Sequence, residues 1–420
     1  MYSSKTIFKK NLFILTTTMG ETINSFFENY LKKEPLFINK KALQANYTPK
    51  EIPYREKQIE QVASILAPAL RHEKPSNLFI YGKTGSGKTL SIKHTTEAMH
   101  LIAKKNNINL KILYLNCKLK KVADTEYRLI AQLVRDFGKD VPATGLPTEE
   151  IYKMFVQALD QEPQIIIIIL DEIDQLVKKT GDEILYNLTR LSSELKNSEV
   201  SIIGISNDLV FTDVLDPRVK SSLSEEEVLF PPYDALQLQK ILKERAHLCF
   251  KEGSLTEGVI SKCAAYAARE HGDARRALEL LRVAGEIAER QGETQVTVNH
   301  IDGAEEKIES DKVLESINSQ PKQSQLVLYA IFSKALTNNQ ERLFTGDIYE
   351  LYKDYCIKTT VRPLTQRRVS DIIAELDMLG IINTKIISKG RYGRTREICL
   401  GIPNSLIHKT NTTLKENLNI

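Results

Sequence analysis

The residues best suited to chemistry lie in a glycine-rich loop, at residues 82–89. The segment NLFIYGKTGSGKTLSIKH (77–94) predicts a short apolar strand, a loop with the pattern GxxxxGKT, and a helix. Glycines let such a loop wrap closely around phosphate, and the following helix adds the positive end of its dipole. In this pattern Lys88 reaches the β- and γ-phosphates of a nucleotide, and the hydroxyl of Thr89 binds Mg²⁺. The expected nucleotide-binding residues of the loop are Gly82, Thr84, Gly85, Ser86, Gly87, Lys88 and Thr89.

A second chemical signal is a pair of carboxylates directly after an apolar run. In QEPQIIIIILDEIDQL (161–176), five isoleucines and a leucine lead into Asp171 and Glu172. Such a run predicts a central parallel strand with both faces covered, and ligands bind at the carboxyl ends of these strands. Taken alone, the acids suit the first turn of a helix equally well. The phosphate-binding loop upstream favours a catalytic role, in which Asp171 holds Mg²⁺ through water and Glu172 polarises the attacking water.

Further elements are predicted around these two motifs. Strands at 110–117, 199–208 and 225–233 would complete a parallel sheet. Asn207, at the tip of the second of these strands, could orient the attacking water or contact the γ-phosphate, or it could be a structural turn residue. A helical bundle should follow, and within it GDARRAL (272–278) places arginines in the first turn of a helix. Cations there oppose the helix dipole, which indicates that Arg275 has another duty.

Length and composition limit the class of protein. A chain of 420 residues is too long for one ordinary core, so two or three domains are expected. The net charge of +4 is only mildly basic, so any nucleic-acid surface must be local. Five scattered cysteines without metal-site spacing predict reduced thiols, and no apolar run is long enough to span a membrane. We therefore expect a cytoplasmic protein whose first 18 residues are an extension rather than a secretory signal.

The last hundred residues predict a winged-helix domain. Three helices, the second and third capped by Thr345 and Thr365, precede two strands that flank the turn KGRYGR (389–394). Cations gather where a recognition helix and a wing would meet DNA, and a wing has no core role that needs them. The alternative is a solvated hairpin or a protein-binding winged helix. The candidate DNA-binding residues here are Lys358, Arg362, Thr365, Arg367, Arg368, Lys389, Arg391, Tyr392, Arg394 and Arg396.

Taken together, these motifs resemble the AAA+ ATPases. More closely, they resemble the archaeal replication initiators that are related to the origin-recognition complex and to the cell-division-control helicase loader. The closer resemblance rests on YTPKEIPYREKQIEQVASIL (47–66) and LDPRVKSSLSEEEVLFPPYD (215–234), and it covers residues 19–403.

The resemblance implies roles for several residues around the nucleotide. Asn207 would be sensor 1, and Arg275 would be sensor 2, reaching the γ-phosphate from the lid. Arg218 would be an arginine finger, although Ser221 and Ser222 stand where many relatives carry an arginine, and a surface salt bridge is an equally good role for it. The residues implied near the adenine or the nucleotide are Pro53, Tyr54, Arg55, Tyr233 and Arg245.

The resemblance also implies a fold and a domain order. We expect an α/β ATPase with a parallel five-stranded P-loop sheet, an all-α lid and a C-terminal winged helix. A helical insertion near 124–150 would contact DNA through Lys139 and the backbone at Gly145. The expected boundaries are 1–45 for the N-terminal extension and helix, 46–232 for the ATPase base, 233–315 for the lid, 316–405 for the winged helix and 406–420 for a polar, mobile tail.

The expected function is that of an ATP-dependent DNA replication initiator. It would bind double-stranded origin DNA, help recruit the replicative minichromosome-maintenance helicase, and associate with the nucleoid and with other initiator paralogues. ATP and ADP, with Mg²⁺, would act as a slow switch with weak hydrolysis. The alternatives are a signal-transducing P-loop NTPase with a protein-binding winged helix, and a clamp-loader-like assembly ATPase.

Overall fold

The computed structural model describes residues 28, 34–44, 47–49, 51–118, 125–142, 145–337, 343–388 and 394–420. The chain forms two compact units, Met1–Ile301 and Asp302–Ile420. The division falls inside a helix, Val298–Asn318, some residues before the boundary expected from the sequence.

A parallel sheet forms the centre of the first unit. Its strand order is β2-β3-β4-β1-β5, and every neighbouring pair is parallel. The carboxyl ends of all five strands therefore meet at one edge of the sheet. The strands are β1 Leu78–Tyr81, β2 Leu110–Asn116, β3 Ile165–Asp171, β4 Glu199–Ser206 and β5 Glu226–Leu229.

Helices cover both faces of this sheet. In β3 all seven residues are buried, because alternate side chains enter two different cores. One core holds Ile166, Ile168 and Leu170, and the other holds Ile165, Ile167 and Ile169. The helices of the base are α1 Glu56–Leu66, α2 Lys88–Lys105, α3 Glu126–Asp136, α4 Thr148–Leu159, α5 Ile173–Thr180, α6 Glu183–Arg190 and α7 Pro217–Leu223.

Three further helices form a lid after the sheet: α8 Ala235–Cys249, α9 Val259–Arg269 and α10 Ala274–Gln291. A capping box starts α8, in which the Asp234 side chain accepts from the Gln237 backbone and the Gln237 side chain accepts from the Asp234 backbone. Asp273 caps α10 by accepting from the backbone N–H groups of Arg275 and Arg276. This cap stabilises a helix whose first turn carries two cations.

The second unit is a winged helix. Its three-stranded antiparallel sheet has the order β6-β8-β7, and Thr365 caps the third helix of the trihelical part by accepting from the Arg368 N–H. The elements are α11 Val298–Asn318, α12 Lys322–Thr337, β6 Leu343–Phe344, α13 Thr345–Lys358, α14 Gln366–Met378, β7 Ile382–Ser388, β8 Arg394–Leu400 and α15 Asn404–Leu418.

Two predictions from the sequence are wrong here. Thr345 does not cap α13: the N-cap is Phe344, and Thr345 is the buried first residue of the helix. Residues 404–418 are not a mobile tail but the helix α15, which packs on the winged-helix core through buried Leu406, Leu414 and Leu418. The segment is mostly polar, but its few apolar residues recur at helical spacing and form one buried face of the helix. Among the described residues, no helix is long and apolar enough to cross a membrane.

We predict that Leu414→Ala destabilises the second unit, because Leu414 is fully buried on α15. The expected cost is about 2–4 kcal/mol of unfolding free energy, from lost burial plus a cavity. The matched control is Ile357→Ala on α13, where the side chain is 74% exposed, and it should change the value by less than about 0.5 kcal/mol. Urea unfolding followed by circular dichroism measures both, and equal costs would show that α15 does not pack as described.

Candidate nucleotide-binding and nucleic-acid sites

A cavity of about 650 Å³ opens at the carboxyl edge of the parallel sheet, where base and lid meet. The predicted phosphate loop, the strand ends and the lid all contribute to its wall. The predicted residues that line it are Pro53, Gly85, Gly87, Lys88, Thr89, Asp171, Glu172, Asn207, Tyr233, Arg245 and Arg275. The loop residues Gly82, Thr84 and Ser86 do not line it.

Two glycines of the loop, Gly85 and Gly87, lie so close to residues of the lid that a side chain would not fit. Gly85 has φ +73°, and a Cβ there would lie 1.8 Å from the Asp273 carboxylate of the lid. Gly87 has φ +90°, and a Cβ would lie 2.9 Å from the Tyr233 hydroxyl. Both residues therefore combine a left-handed backbone with a close approach, which only glycine allows without strain. The loop and the lid are in direct contact.

Lys88 links the loop to the tip of β4. Its ammonium donates to the carbonyls of Gly82 and Lys83 at 2.7 and 2.9 Å and to Asn207 Oδ1 at 2.8 Å. Burial lowers the pKa of Lys88 to about 8, and the nearby Asp171 carboxylate opposes that shift. The three N–H donors of the ammonium are each matched by an oxygen, so this buried cation is fully hydrogen-bonded.

Asp171 accepts three hydrogen bonds at the end of β3. Thr89 Oγ1 donates to Asp171 Oδ2 at 2.9 Å, so the two expected metal ligands lie together. Tyr114 Oη donates to the same oxygen at 2.6 Å, a contact that the sequence analysis missed. A tyrosine near the end of a strand beside β3 is the signal that could have found it.

Glu172 follows in a strained conformation. Its φ of +56° is left-handed, which is uncommon for a residue with a side chain and occurs at functional sites. Its backbone N–H donates to Asp171 Oδ1 at 3.0 Å, and its carboxylate lies 3.7 Å from the exposed ammonium of Lys118. Glu172 lines the cavity.

Arg55 lies beside the loop and not in the cavity wall. Its side chain is buried, with Nε donating to the Ser86 carbonyl at 2.7 Å and Nη2 to the Pro231 carbonyl at 2.5 Å. Its guanidinium stacks on the Tyr233 ring at 3.8 Å. Of the three residues expected to cover the adenine, Pro53 alone lines the cavity, and Tyr54 lies near Lys240 instead. Arg55 joins the phosphate loop to the start of the lid.

Two lid arginines face the cavity. Arg245 is 8% exposed, and its guanidinium lies over the Tyr47 ring at 4.5 Å. Within the described residues its Nη1 has no hydrogen-bond partner, which leaves a buried donor at the cavity wall. Arg275 is exposed and lines the cavity from the first turn of α10. An acceptor-rich ligand such as a nucleotide fits this donor set, and the oxygen pair of Thr89 and Asp171 fits a hard cation such as Mg²⁺.

Arg218 lies outside the cavity. Its side chain is 69% exposed, and it forms a two-point ion pair with Asp216, with Nε and Nη2 each 3.1 Å from a carboxylate oxygen. Its guanidinium also lies 5.2 Å from the centre of the Tyr186 ring. The residue therefore makes the surface salt bridge that the sequence left open, and it does not contribute to its own chain's cavity.

The predicted insertion, near 124–150, contains α3, the loop after it and the first turn of α4. Gly145 is exposed with φ +112°, and a Cβ there would meet nothing within 4 Å. Lys139 is half-buried just after α3, with its N–H donating to the Val134 carbonyl. The contacts of the described residues do not bring Lys139 and Gly145 together.

The winged helix exposes cations at the start of α14. Arg362, Arg367 and Arg368 are all exposed, and Arg368 Nη1 lies 3.4 Å from Glu375 and 3.9 Å from Asp371 on the same helix. Arg396 is half-buried on β8, opposite Ile386. The predicted wing residues Lys389, Arg391 and Tyr392, and the side chain of Arg394, lie outside the described part of the structure.

Fold and site together define an AAA+ ATPase with a C-terminal winged helix. The family models agree: an AAA domain matches residues 71–209, a Cdc6 AAA+ ATPase-type lid domain matches 239–306, and a CDC6 C-terminal winged-helix domain matches 315–410. These matches confirm the fold class predicted from the sequence.

Whole-chain comparisons give the family. The chain is 55% identical to an ORC1-type DNA replication protein of Thermococcus onnurineus over 385 residues, 90% of this chain and 92% of that protein. It is 50% identical to ORC1-type DNA replication protein 1 of Methanosarcina mazei, over 91% and 92% of the two chains. The structure of the Aeropyrum pernix ORC1 protein in complex with DNA matches with a TM-score of 0.79 and 43% identity, over 91% and 97% of the chains. The chain belongs to the family of ORC1-type DNA replication proteins, which confirms the predicted resemblance.

We predict that Lys88→Ala weakens nucleotide binding at least a hundredfold, because the lost ammonium is the cation nearest the phosphate loop and Asn207. Isothermal titration calorimetry with ADP measures the change. Lys104→Ala, at the exposed far end of the same helix, is the matched control and should bind like the wild-type protein. Wild-type affinity in Lys88→Ala would contradict the assignment.

We also predict that Gly85→Ala lowers the unfolding free energy by more than the left-handed backbone at this position alone would cost. Gly138 has a similar φ of +80° with nothing within 4 Å of an added Cβ, and the Gly138 and Lys139 N–H groups donate to the Arg135 and Val134 carbonyls, as at a left-handed helix end. Gly138→Ala therefore measures the conformational cost alone, about 1–2 kcal/mol. Gly85→Ala adds the clash with Asp273 and should destabilise the first unit further and weaken ADP binding at least tenfold. Thermal unfolding and calorimetry give both values. The same effect from both variants would show that the lid does not press on the loop.

Proposed function

We propose that this ORC1-type initiator binds double-stranded origin DNA through its winged helix and its ATPase insertion, and that it helps recruit the replicative minichromosome-maintenance helicase. ATP and ADP act as a slow switch, and hydrolysis is weak. The DNA complex of the Aeropyrum pernix ORC1 protein, at 43% identity, supports the DNA-binding part. The proposed cell compartment is the cytoplasm, in association with the nucleoid.

The observation that carries the DNA-binding proposal is the position of Arg367 and Arg368. Both lie exposed in the first turn of α14, directly after the Thr365 cap, and a cation there is unfavourable for the helix itself. Neither residue belongs to the winged-helix core. A recognition helix contacts base edges and phosphates with its N-terminal residues, so the cost to the helix is offset when a phosphate backbone binds.

The switch proposal rests on the contact between base and lid. Asp273 at the start of α10 contacts Gly85, Arg55 donates to the Ser86 carbonyl and stacks on the Tyr233 ring, and Arg275 lines the cavity from the same helix turn as Asp273. A ligand that alters the loop must therefore alter the angle of the lid. Loss of the γ-phosphate would release Arg275, which is how ATP and ADP states would differ.

Several residues of the cavity have a proposed task. Lys88 binds the β- and γ-phosphates. Its ammonium then donates to phosphate oxygens in place of the Gly82 and Lys83 carbonyls, and it keeps its hydrogen bond to Asn207. Glu172 polarises the attacking water, and Thr89 and Asp171 hold the metal. Mg²⁺ offsets the phosphate charge when bound. The other proposed nucleotide-binding residues are Pro53, Tyr233, Arg245 and Arg275.

We propose that Arg218 either forms only the surface ion pair with Asp216 or acts as an arginine finger for a neighbouring subunit. The ion pair with Asp216, at 3.1 Å, is at the surface and the Arg218 side chain is largely exposed. Arg218 can therefore leave Asp216 and bind a phosphate of a neighbouring subunit without disturbing the core.

Lys139 and Gly145 are proposed to contact the DNA backbone from the ATPase unit, and Arg362, Arg396 and the wing residues from the winged helix.

We predict that Arg367→Ala/Arg368→Ala reduces the salt dependence of duplex binding. Each phosphate contact contributes about 0.9 to the slope of log affinity against log salt, so the double variant should lose about two units. Fluorescence anisotropy on a labelled duplex between low and physiological salt measures the slope. Lys353→Ala, a cation on α13 paired with Glu350, is the control and should keep the wild-type slope. An unchanged slope in the double variant would remove α14 from the interface.

A further expected outcome concerns turnover. Because ATP is proposed to act as a switch, the protein alone should hydrolyse ATP slowly, with ADP remaining bound afterwards. Single-turnover and steady-state phosphate-release assays without DNA or helicase measure this. Rapid multiple turnover in the absence of any partner would contradict the switch and favour an assembly ATPase of the clamp-loader kind.

A further inference from the structure

Tyr114, on β2, shares a carboxylate oxygen with a proposed metal ligand. Its hydroxyl donates to Asp171 Oδ2 at 2.6 Å, and Thr89 Oγ1 donates to the same atom at 2.9 Å. The other oxygen, Oδ1, accepts from the Glu172 N–H at 3.0 Å. An ionised carboxylate can only accept hydrogen bonds, so all three groups are donors and together they fix its plane.

The tyrosine reaches Asp171 because of the strand register. Tyr114 pairs with Ile169, so Asp171, two residues on, lies diagonally across on the same face of the sheet. The ring is half-buried, and the Lys93 ammonium lies 4.3 Å from its centre. Lys93 is one helical turn after Thr89 on α2. The ring is thus held between β2 and α2 by contacts that do not involve its hydroxyl.

In the contact with Asp171 the hydroxyl of Tyr114 is the donor, because an ionised carboxylate can only accept hydrogen bonds. The contact therefore restricts the orientation of the carboxylate.

We propose that Tyr114 is a positioning residue that sets the affinity of the nucleotide complex for Mg²⁺, by holding Asp171 in one orientation through its hydroxyl. The inference rests on the proposed nucleotide site and deepens it. A carboxylate on a short side chain turns easily about its last torsion, which is broad. Hydrogen-bond partners behind metal ligands restrict such motion, and their loss typically lowers metal affinity tenfold or more.

The test is Tyr114→Phe, which keeps the ring and removes the hydroxyl alone. The dissociation constant of a fluorescent ADP analogue is measured in EDTA and across a Mg²⁺ titration. The proposal predicts that the Mg²⁺ concentration for half-maximal effect rises about tenfold. It also predicts that the dissociation constant in EDTA stays within about twofold of the wild-type value, since the groups that bind the phosphates are untouched.

Tyr349→Phe is the matched control. It removes a hydroxyl that donates to the Leu364 carbonyl at 3.1 Å in the winged-helix unit, and it should show wild-type Mg²⁺ dependence. Wild-type Mg²⁺ dependence in Tyr114→Phe would overturn the inference. Equal weakening with and without Mg²⁺ would also overturn it, because that result means a structural role. A wild-type protein that bound no nucleotide in either condition would overturn the proposed nucleotide site, and this inference with it.

Discussion

One packing constraint governs the ATPase unit: the lid helix α10 meets the phosphate loop with no space for a side chain between them. Gly85 and Asp273 form that contact, and a single methyl group at Gly85 would overlap the carboxylate. We propose that a change in the loop displaces the lid, because the two are in direct contact. Arg55, which donates to the Ser86 carbonyl and stacks on the Tyr233 ring, links the loop to the start of the lid.

The parallel sheet supplies the other half of the site. Since β1, β3 and β4 are neighbours and run in the same direction, their ends place the loop, Asp171 and Asn207 at one edge. The sheet is buried on both faces, so the polar groups of the site are concentrated where the strands stop. Lys88 then bridges the loop and Asn207, and Thr89 bridges α2 and Asp171. The chemistry follows from strand direction and order.

Much of this could be predicted from the sequence, because the informative features are local. The GxxxxGKT pattern and the apolar run before Asp171 each identify a strand and its end without reference to the rest of the chain. Contacts that depend on strand register could not be predicted in the same way: Tyr114 reaches Asp171 only because β2 pairs with β3 in one alignment. Arg55 was expected beside the adenine, but its buried hydrogen bonds to distant carbonyls depend on tertiary packing. The helix α15 was missed because polar residues outnumber the leucines that anchor it.

We propose that the nucleotide state of the ATPase unit controls the affinity of the protein for double-stranded DNA. The most direct measurement is the affinity of the full-length protein for an origin duplex and for a random duplex at physiological salt, with ATP and with ADP. We expect specific binding to the origin duplex with a dissociation constant below about 10⁻⁷ M, and a different dissociation constant with ATP than with ADP. Affinity that is weak for both duplexes and unchanged by nucleotide would contradict it.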